Sequence, residues 1–152
     1  MFEHDEQVAL YDMCVPEFKS IAFGWCSYSD FFSELNHEFG FTLDVCATSE
    51  NAVCDKYYTI EDNGLEQDWS GEVVYCNPFD DDFMIVWAHK CYAESRNKSF
   101  VVMLVSYKPN EPWWTFVEGE QIRRIECRFN MPGTSFHHVD IPIAVVVFGG
   151  KK

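Results

Sequence analysis

An open α/β sheet with an antiparallel edge, flanked by helices, is the architecture the sequence predicts, and three observations predict it. The runs VVYC at 73–76 and SFVVMLVSY at 99–107 are continuously apolar, as expected of strands covered on both faces. Helix-period segments stand before and between them, from Ser29 and after Asp80. Two further strand-like runs, around 122–131 and 141–148, then follow one another directly. Alternation of strand and helix builds a parallel sheet, and consecutive strands add an antiparallel edge.

Taken in order, residues 1–22 lack periodicity and read as an irregular N-terminal extension, leaving 23–152 as one domain. Ser29 is a plausible helix N-cap, Phe31, Phe32, Leu35 and Phe39 recur at helical spacing, and Gly40 stops the run. FTLDVCA (41–47) reads as a short strand ending near Asp44. Residues 48–71 are polar and rich in turn signals, including NGL at 63–65 and SG at 70–71. After VVYC, Asp80 to Asp82 introduce a helix of about four turns (~4), with Phe83, Val86, Trp87 and Cys91 on one face. Carboxylates suit a first helical turn, where the macrodipole favours negative charge.

The 152 residues, 47% of them hydrophobic, suffice for one ordinary core. No apolar run reaches the roughly 18 residues of a membrane span, and the opening MFEHDEQ is acidic where a signal peptide would be basic. A soluble, cytoplasmic protein is expected, without a membrane partner. The 7 cysteines include no C-x-x-C pair, so reduced thiols and no metal site are expected. The net charge of −14 argues against contact with a polyanion, but it is unevenly spread. Residues 1–76 carry Lys19 and Lys56 against 16 carboxylates, whereas residues 77–152 carry 9 of each sign. Any phosphate contact therefore belongs to the second half, with Lys108, Arg123, Arg124 and Arg128 as candidates.

In open α/β sheets, ligands sit outside the carboxyl ends of the strands. Asp44, Asn77-Pro78-Phe79 and Ser106-Tyr107-Lys108 all fall at such ends. The corner at Asn77 suits methyl transfer to an exocyclic base amine, whose lone pair is delocalised into the ring. The Asn77 amide oxygen and the Pro78 carbonyl can accept its two N–H bonds, while Phe79 stacks on the extruded base. The plainer alternative is a strand-ending turn with Phe79 packed beneath it.

Beyond the corner, LDVCA, NAVCDKYYT, EDNGLEQDW and VVYCNP occur in this order between residues 43 and 78. In these segments the chain resembles the phage-type DNA N6-adenine methyltransferase family, from about Trp25 to Phe148. The weaker matches are VVMLV, Trp113, IRRIECRF and Pro142. The resemblance implies a small Rossmann-like S-adenosylmethionine-dependent methyltransferase fold, a mixed sheet flanked by helices, acting on adenine-containing DNA in the host cytoplasm. It implies that Asp44, Cys46 and Ala47 border the cofactor, that Asp62 and Leu65 lie near its adenosine, and that Asn77 and Pro78 form the catalytic corner with Phe79, Asn77 also touching the cofactor. Trp25 and Ser27 stand where the family has Trp-x-Thr-Pro and are assigned to the cofactor side. No G-x-G loop follows the first strand, so the cofactor assignment rests on the family.

The chain departs from the family at three places, one being the Trp-x-Thr-Pro entry, which reads Trp25-Cys26-Ser27-Tyr28. Asn-Pro-Pro-Tyr is replaced by Asn77-Pro78-Phe79-Asp80, and Pro-Ala-Arg after the next strand by Ser106-Tyr107-Lys108. Lysine keeps the cation but lacks arginine's planar fork. These changes motivate an alternative, a catalytically inactive methyltransferase-like binding module or inhibitor whose acidic half faces a basic host protein. A third reading keeps methyl transfer with a different acceptor. His137-His138 reads as a polar loop or strand edge, Trp113 as a pocket or core residue, and Trp114 as the more exposed of the two tryptophans.

Overall fold

The computed structural model describes residues 22–23, 26–78, 83–130 and 138–149. Strands β1 (Ala22–Phe23) and β2 (Cys26–Ser27) pair antiparallel, and helix α1 spans Tyr28–Phe39. A six-stranded sheet follows from β3 (Leu43–Asp44), β4 (Lys56–Tyr57), β5 (Val73–Cys76), β6 (Phe100–Ser106), β7 (Gln121–Asn130) and β8 (His138–Phe148). Helix α2 (Met84–Ser95) connects β5 to β6.

The sheet order is β4-β3-β5-β6-β8-β7. Strands β3 to β6 are parallel, β8 runs antiparallel to β6, and β7 runs antiparallel to β8. From β3 the chain moves outward to β4 and then returns to the other side of β3 as β5. This reversal opens a crevice at the carboxyl ends of β3 and β5, where ligands of open α/β sheets sit.

Strand β6 shows why the two faces are covered. Val101 through Val105 are all buried, and their alternation sends Val101, Met103 and Val105 to one core and Val102 and Leu104 to the other. The first core packs α2 and a 310 turn, Pro112–Phe116, onto the sheet through Ala88, Cys91, Trp113 and Val117. The second packs α1 through Leu35, with Phe32 and Phe41 around Tyr75 and Phe39 against Phe41 and Phe100. Gly40 ends α1 at φ 68° and donates its N–H to the Asn36 carbonyl at 2.7 Å.

Several local expectations change. The strand read in 41–47 ends at Asp44 as expected, but its paired span is short, Leu43–Asp44, and the chain then bends at Val45 to line the crevice. The polar stretch 48–71 supplies edge strand β4 and a 310 turn, Gly64–Glu66. Helix α1 begins at Tyr28, placing Ser29 inside its first turn instead of at its cap. Helix α2 begins at Met84 and runs 12 residues, shorter than about four turns. Its buried stripe is Met84, Ala88, Cys91 and Glu94; Phe83 and Val86 are 54% and 44% exposed, so they are not core residues. Phe83 precedes the helix with φ −105° and ψ 13°, out of phase with the helical stripe. Trp114 is buried, because the 310 turn folds its ring against Tyr107 and Trp113. Asp80 to Asp82, and His137 of the histidine pair, lie outside the described residues.

Candidate active site

A cavity of about 450 Å³ opens beside the carboxyl ends of β3 and β4. One wall is Val45, Cys46 and Ala47, the residues that follow β3, and the other is Thr59, Ile60 and Asn63 through Leu65, which follow β4. Phe83 and Trp87, from the start of α2, complete it. A pocket of this size, mostly apolar with a few polar groups, is typical of small-molecule and cofactor sites. Ile60, 66% exposed, and Phe83 put large apolar surface at its rim.

The wall at Gly64 depends on the absence of a side chain. A Cβ there would lie 2.6 Å from the Val45 carbonyl oxygen and 3.4 Å from the Trp87 ring. The Gly64 carbonyl accepts the indole N–H of fully buried Trp69 at 2.9 Å, and Trp69 stacks on Trp87. Lys90 stands over the Trp69 ring, donating to the Gln67 carbonyl and to Glu94, each at 2.7 Å. Helix α2 and the 59–67 segment are thus joined directly behind the cavity. Asp62 accepts from the Thr59 N–H and hydroxyl at 2.9 and 3.1 Å, shaping the turn that carries Thr59 and Ile60 into the wall.

Asp44 lies just behind the opposite wall, 2% exposed. Its two carboxylate oxygens accept the N–H groups of Cys46 at 3.2 Å and Val53 at 3.1 Å. Burial pushes its carboxyl up to about 6, against the lowering effect of these two bonds. The Cys46 and Cys76 sulfurs are 4.0 Å apart across β3 and β5, and burial pushes both thiols up, along with that of Cys91. Cys46, Cys54, Cys76 and Cys91 are free thiols, and among the described residues no group of three His, Cys, Asp or Glu side chains is placed to hold a metal.

A second, smaller cavity of about 110 Å³ lies at the ends of β5 and β6. Half-buried Asn77 and buried Pro78 line it with Met84, Leu104, Val105, Ser106 and Ile143. Since Phe83 lines the large cavity and Met84 the small one, the two flank the start of α2. The arrangement sets Asn77 and Pro78 in a small recess beside a larger apolar one. That geometry can accept N–H bonds from a planar amine on one side and hold a second molecule on the other.

Of the expected site residues, Cys46, Ala47 and Leu65 line the large cavity, and Asn77 and Pro78 line the small one. Asp44 and Asp62 stand behind the walls. Trp25 and Phe79 lie outside the described residues, as do the side chains of Ser27 and Arg128. The period of two on β7 separates Arg123 from Arg124. Arg123 turns to α1, donating to both carboxylate oxygens of Glu38 at 2.8 and 2.5 Å. Exposed Arg124 turns to the opposite face, 4.6 Å from the centre of the Tyr107 ring, one residue from Ser106 and beside exposed Lys108. Arg123 is therefore not brought to the site. Val45, Thr59, Ile60, Asn63, Gly64, Phe83 and Trp87 were not anticipated as cavity residues. For Asn63 and Gly64 the turn signal NGL was the available clue.

The profile of the family described as DNA N-6-adenine-methyltransferase (Dam) matches residues 18–136 of this chain. A relative in Escherichia coli (strain K12), named "Putative methyltransferase YfdM", is 42% identical over 55 residues. That alignment covers 36% of this chain and 60% of the relative. No solved structure matches significantly. No helix among the described residues is long and apolar enough to cross a membrane.

Proposed function

We propose, from the premise that this chain belongs to the DNA N-6-adenine-methyltransferase family, that it transfers a methyl group from S-adenosylmethionine to the N6 amine of adenine in DNA. The observation that carries the proposal is the pair of adjoining cavities, one large and apolar beside β3 and β4, one small and bearing Asn77 and Pro78. The strand reversal between them suits a Rossmann-like methyltransferase domain. The residues fit the donor, since the large cavity has the volume and the mostly apolar lining of a cofactor site, and the missing side chain at Gly64 lets the two walls close on one another at Val45 and Trp87. Bound there, the donor would supply an electrophilic sulfonium methyl.

The chain's own residues do the rest. Val45, Cys46, Ala47, Leu65 and Trp87 enclose the donor and exclude water from one side. In the small cavity the Asn77 side-chain oxygen and the Pro78 carbonyl accept the two N6–H bonds of an extruded adenine, which frees the nitrogen lone pair for in-line attack. Phe79, next in the chain, is assigned the stacking role. Lys108 and Arg124, near the small cavity, contact the phosphates flanking the target base.

The test is nucleoside mass spectrometry of plasmid DNA incubated with purified protein and S-adenosylmethionine. N6-methyladenine is expected, and Asn77→Ala should lower its formation by at least about 100-fold, as removal of a transition-state hydrogen-bonding group does, with donor binding retained. Native protein that binds the donor yet leaves adenine unmodified would redirect the assignment to another acceptor.

A further inference from the structure

We propose that Asp44 is a positioning residue of the large cavity, a carboxylate clasp that holds the 45–53 loop in its cavity-lining shape when ionised and releases it when protonated. This inference rests on the donor-site reading and deepens it, because it gives Asp44 an action through backbone amides and no contact with the donor.

Asp44 is the last residue of β3, and its two oxygens reach the two ends of one loop, the N–H of Cys46 and the N–H of Val53. Between those ends the chain is bonded mainly to itself. Thr48 N–H donates to Asn51 Oδ1 at 2.7 Å, Asn51 N–H to Thr48 Oγ1 at 3.2 Å, and Ala52 N–H to the Thr48 carbonyl at 3.0 Å. The loop is attached to the sheet by Asp44 at both its ends and by the Ala47 N–H, which donates to the Tyr58 carbonyl at 3.0 Å. Its start is also held by the Val45 N–H, which donates to the Tyr75 carbonyl at 3.2 Å, and by the buried Cys46 side chain against Cys76, so that at the Val53 end Asp44 is the clasp. Cys46 and Ala47, at its start, are the cavity wall.

An ionised carboxylate has acceptor sites enough for both amides. A protonated carboxyl turns one oxygen into a donor, which faces an N–H and leaves that amide poorly paired. Among the described residues, the titratable groups facing Asp44 are thiols: Cys46 in the loop, Cys54 just after it and Cys76 on β5, each raised in part by the Asp44 charge. Cys54, pushed up to about 12, also feels Asp55 and Glu72. These thiols stay neutral between pH 5 and pH 8 (~5–8). Among the described residues the causes of the Asp44 shift are burial, the largest, which raises its carboxyl to about 6, and the lowering bonds from Val53 and Cys46. Asp44 is thus the group in this cluster that changes charge in mildly acid solution.

The experiment uses the full chain and two readouts. Calorimetric titration with S-adenosylhomocysteine from about pH 8 to about pH 5 should show affinity falling roughly tenfold per unit below the Asp44 pKa, the ratio by which the ionised fraction declines. Asp44→Asn should bind more weakly at pH 8 and show no such slope. In ligand-free native protein, amide hydrogen exchange, corrected for intrinsic rates, should show Cys46 and Val53 losing protection over the same range while β6 keeps its own. A pH-independent affinity, or unchanged protection of those amides in acid, overturns the proposal. Absence of binding at pH 8 with acid-sensitive protection overturns the donor-site reading instead and leaves the clasp standing. If Asp44→Asn does not fold, the native slope and exchange data decide the matter.

Discussion

At Gly64 a single methyl group has no space: the nearest neighbour of an added Cβ is a backbone oxygen at 2.6 Å, which cannot rotate aside. Gly64→Ala should therefore push the 64–66 turn away from Val45 at a cost of about 1–3 kcal/mol, the usual range for overpacking. A urea melt would measure the loss of stability, and calorimetry should show weaker donor binding through the displaced wall. A melt indistinguishable from native would mean that the turn and the β3 loop are not in contact in solution. The arginines of β7 give a second contrast at this scale. Arg124→Ala should weaken DNA binding and reduce its salt dependence by about one phosphate's worth. Arg123→Ala should leave both nearly unchanged, because its guanidinium is engaged by Glu38 on the other face. Fluorescence anisotropy with an oligonucleotide at several salt concentrations separates the two, and equal effects would contradict the face assignment.

Among the elements, the most legible were those with an uninterrupted pattern. The apolar run at 99–107 could be placed as a doubly covered strand because both of its faces are apolar, and β6 buries Val101 through Val105 accordingly. Helix α1 was equally plain, with Phe32, Leu35 and Phe39 toward the sheet and Gly40 as its stop. Helix α2 was harder, since apolar residues occupy more than one of its faces. Phe83 and Val86 compete with Met84, Ala88 and Cys91 for the buried stripe, and only contact with the sheet decides among them. The exposure of Phe83 follows from its place at the cavity rim. A Val86→Asp substitution, on this account, should change stability by less than about 0.5 kcal/mol, as checked by thermal unfolding, whereas a buried Val86 would cost several times as much. Strand β4 pairs over two residues, too short to carry a pattern at all.

For the molecule as a whole, acid should act on folding and on binding in opposite directions. Burial raises the Asp44 carboxyl to about 6 in the fold from the ordinary 3.8 of an aspartate, so the folded state binds its proton more tightly than the unfolded one. Its contribution to stability therefore rises as pH falls through this window and is lost as pH rises through about 6, by an amount on the order of 3 kcal/mol in total. Glu72, lowered by Lys56 and Thr42, has the opposite sign, its contribution being lost as pH falls through its depressed pKa. Comparing urea midpoints of native protein and Asp44→Asn at about pH 7 and about pH 5 isolates the Asp44 component. The native protein should gain relative to the variant in acid even as its affinity for S-adenosylhomocysteine declines. A relative loss would place the carboxylate in a stabilising environment that its burial does not provide.

By itself the sequence determined the class of sheet, the family segments from LDVCA to VVYCNP and the convergence of Asp44, Asn77 and Ser106 at strand ends, because periodicity and order along the chain carry that information. The uneven charge was likewise legible, since it is a sum over residues. Which residues form the cavities was decided only by the tertiary structure. Gly64 meets Val45 and Trp87 across gaps of 19 and 23 positions, and Asp44 reaches Val53 around a loop, distances that no local pattern encodes. The partition of Arg123 and Arg124 needed one more fact, that β7 lies at the sheet edge with α1 on one face and Tyr107 on the other. Side-chain alternation says that two neighbours part, and packing alone says which of them meets the site.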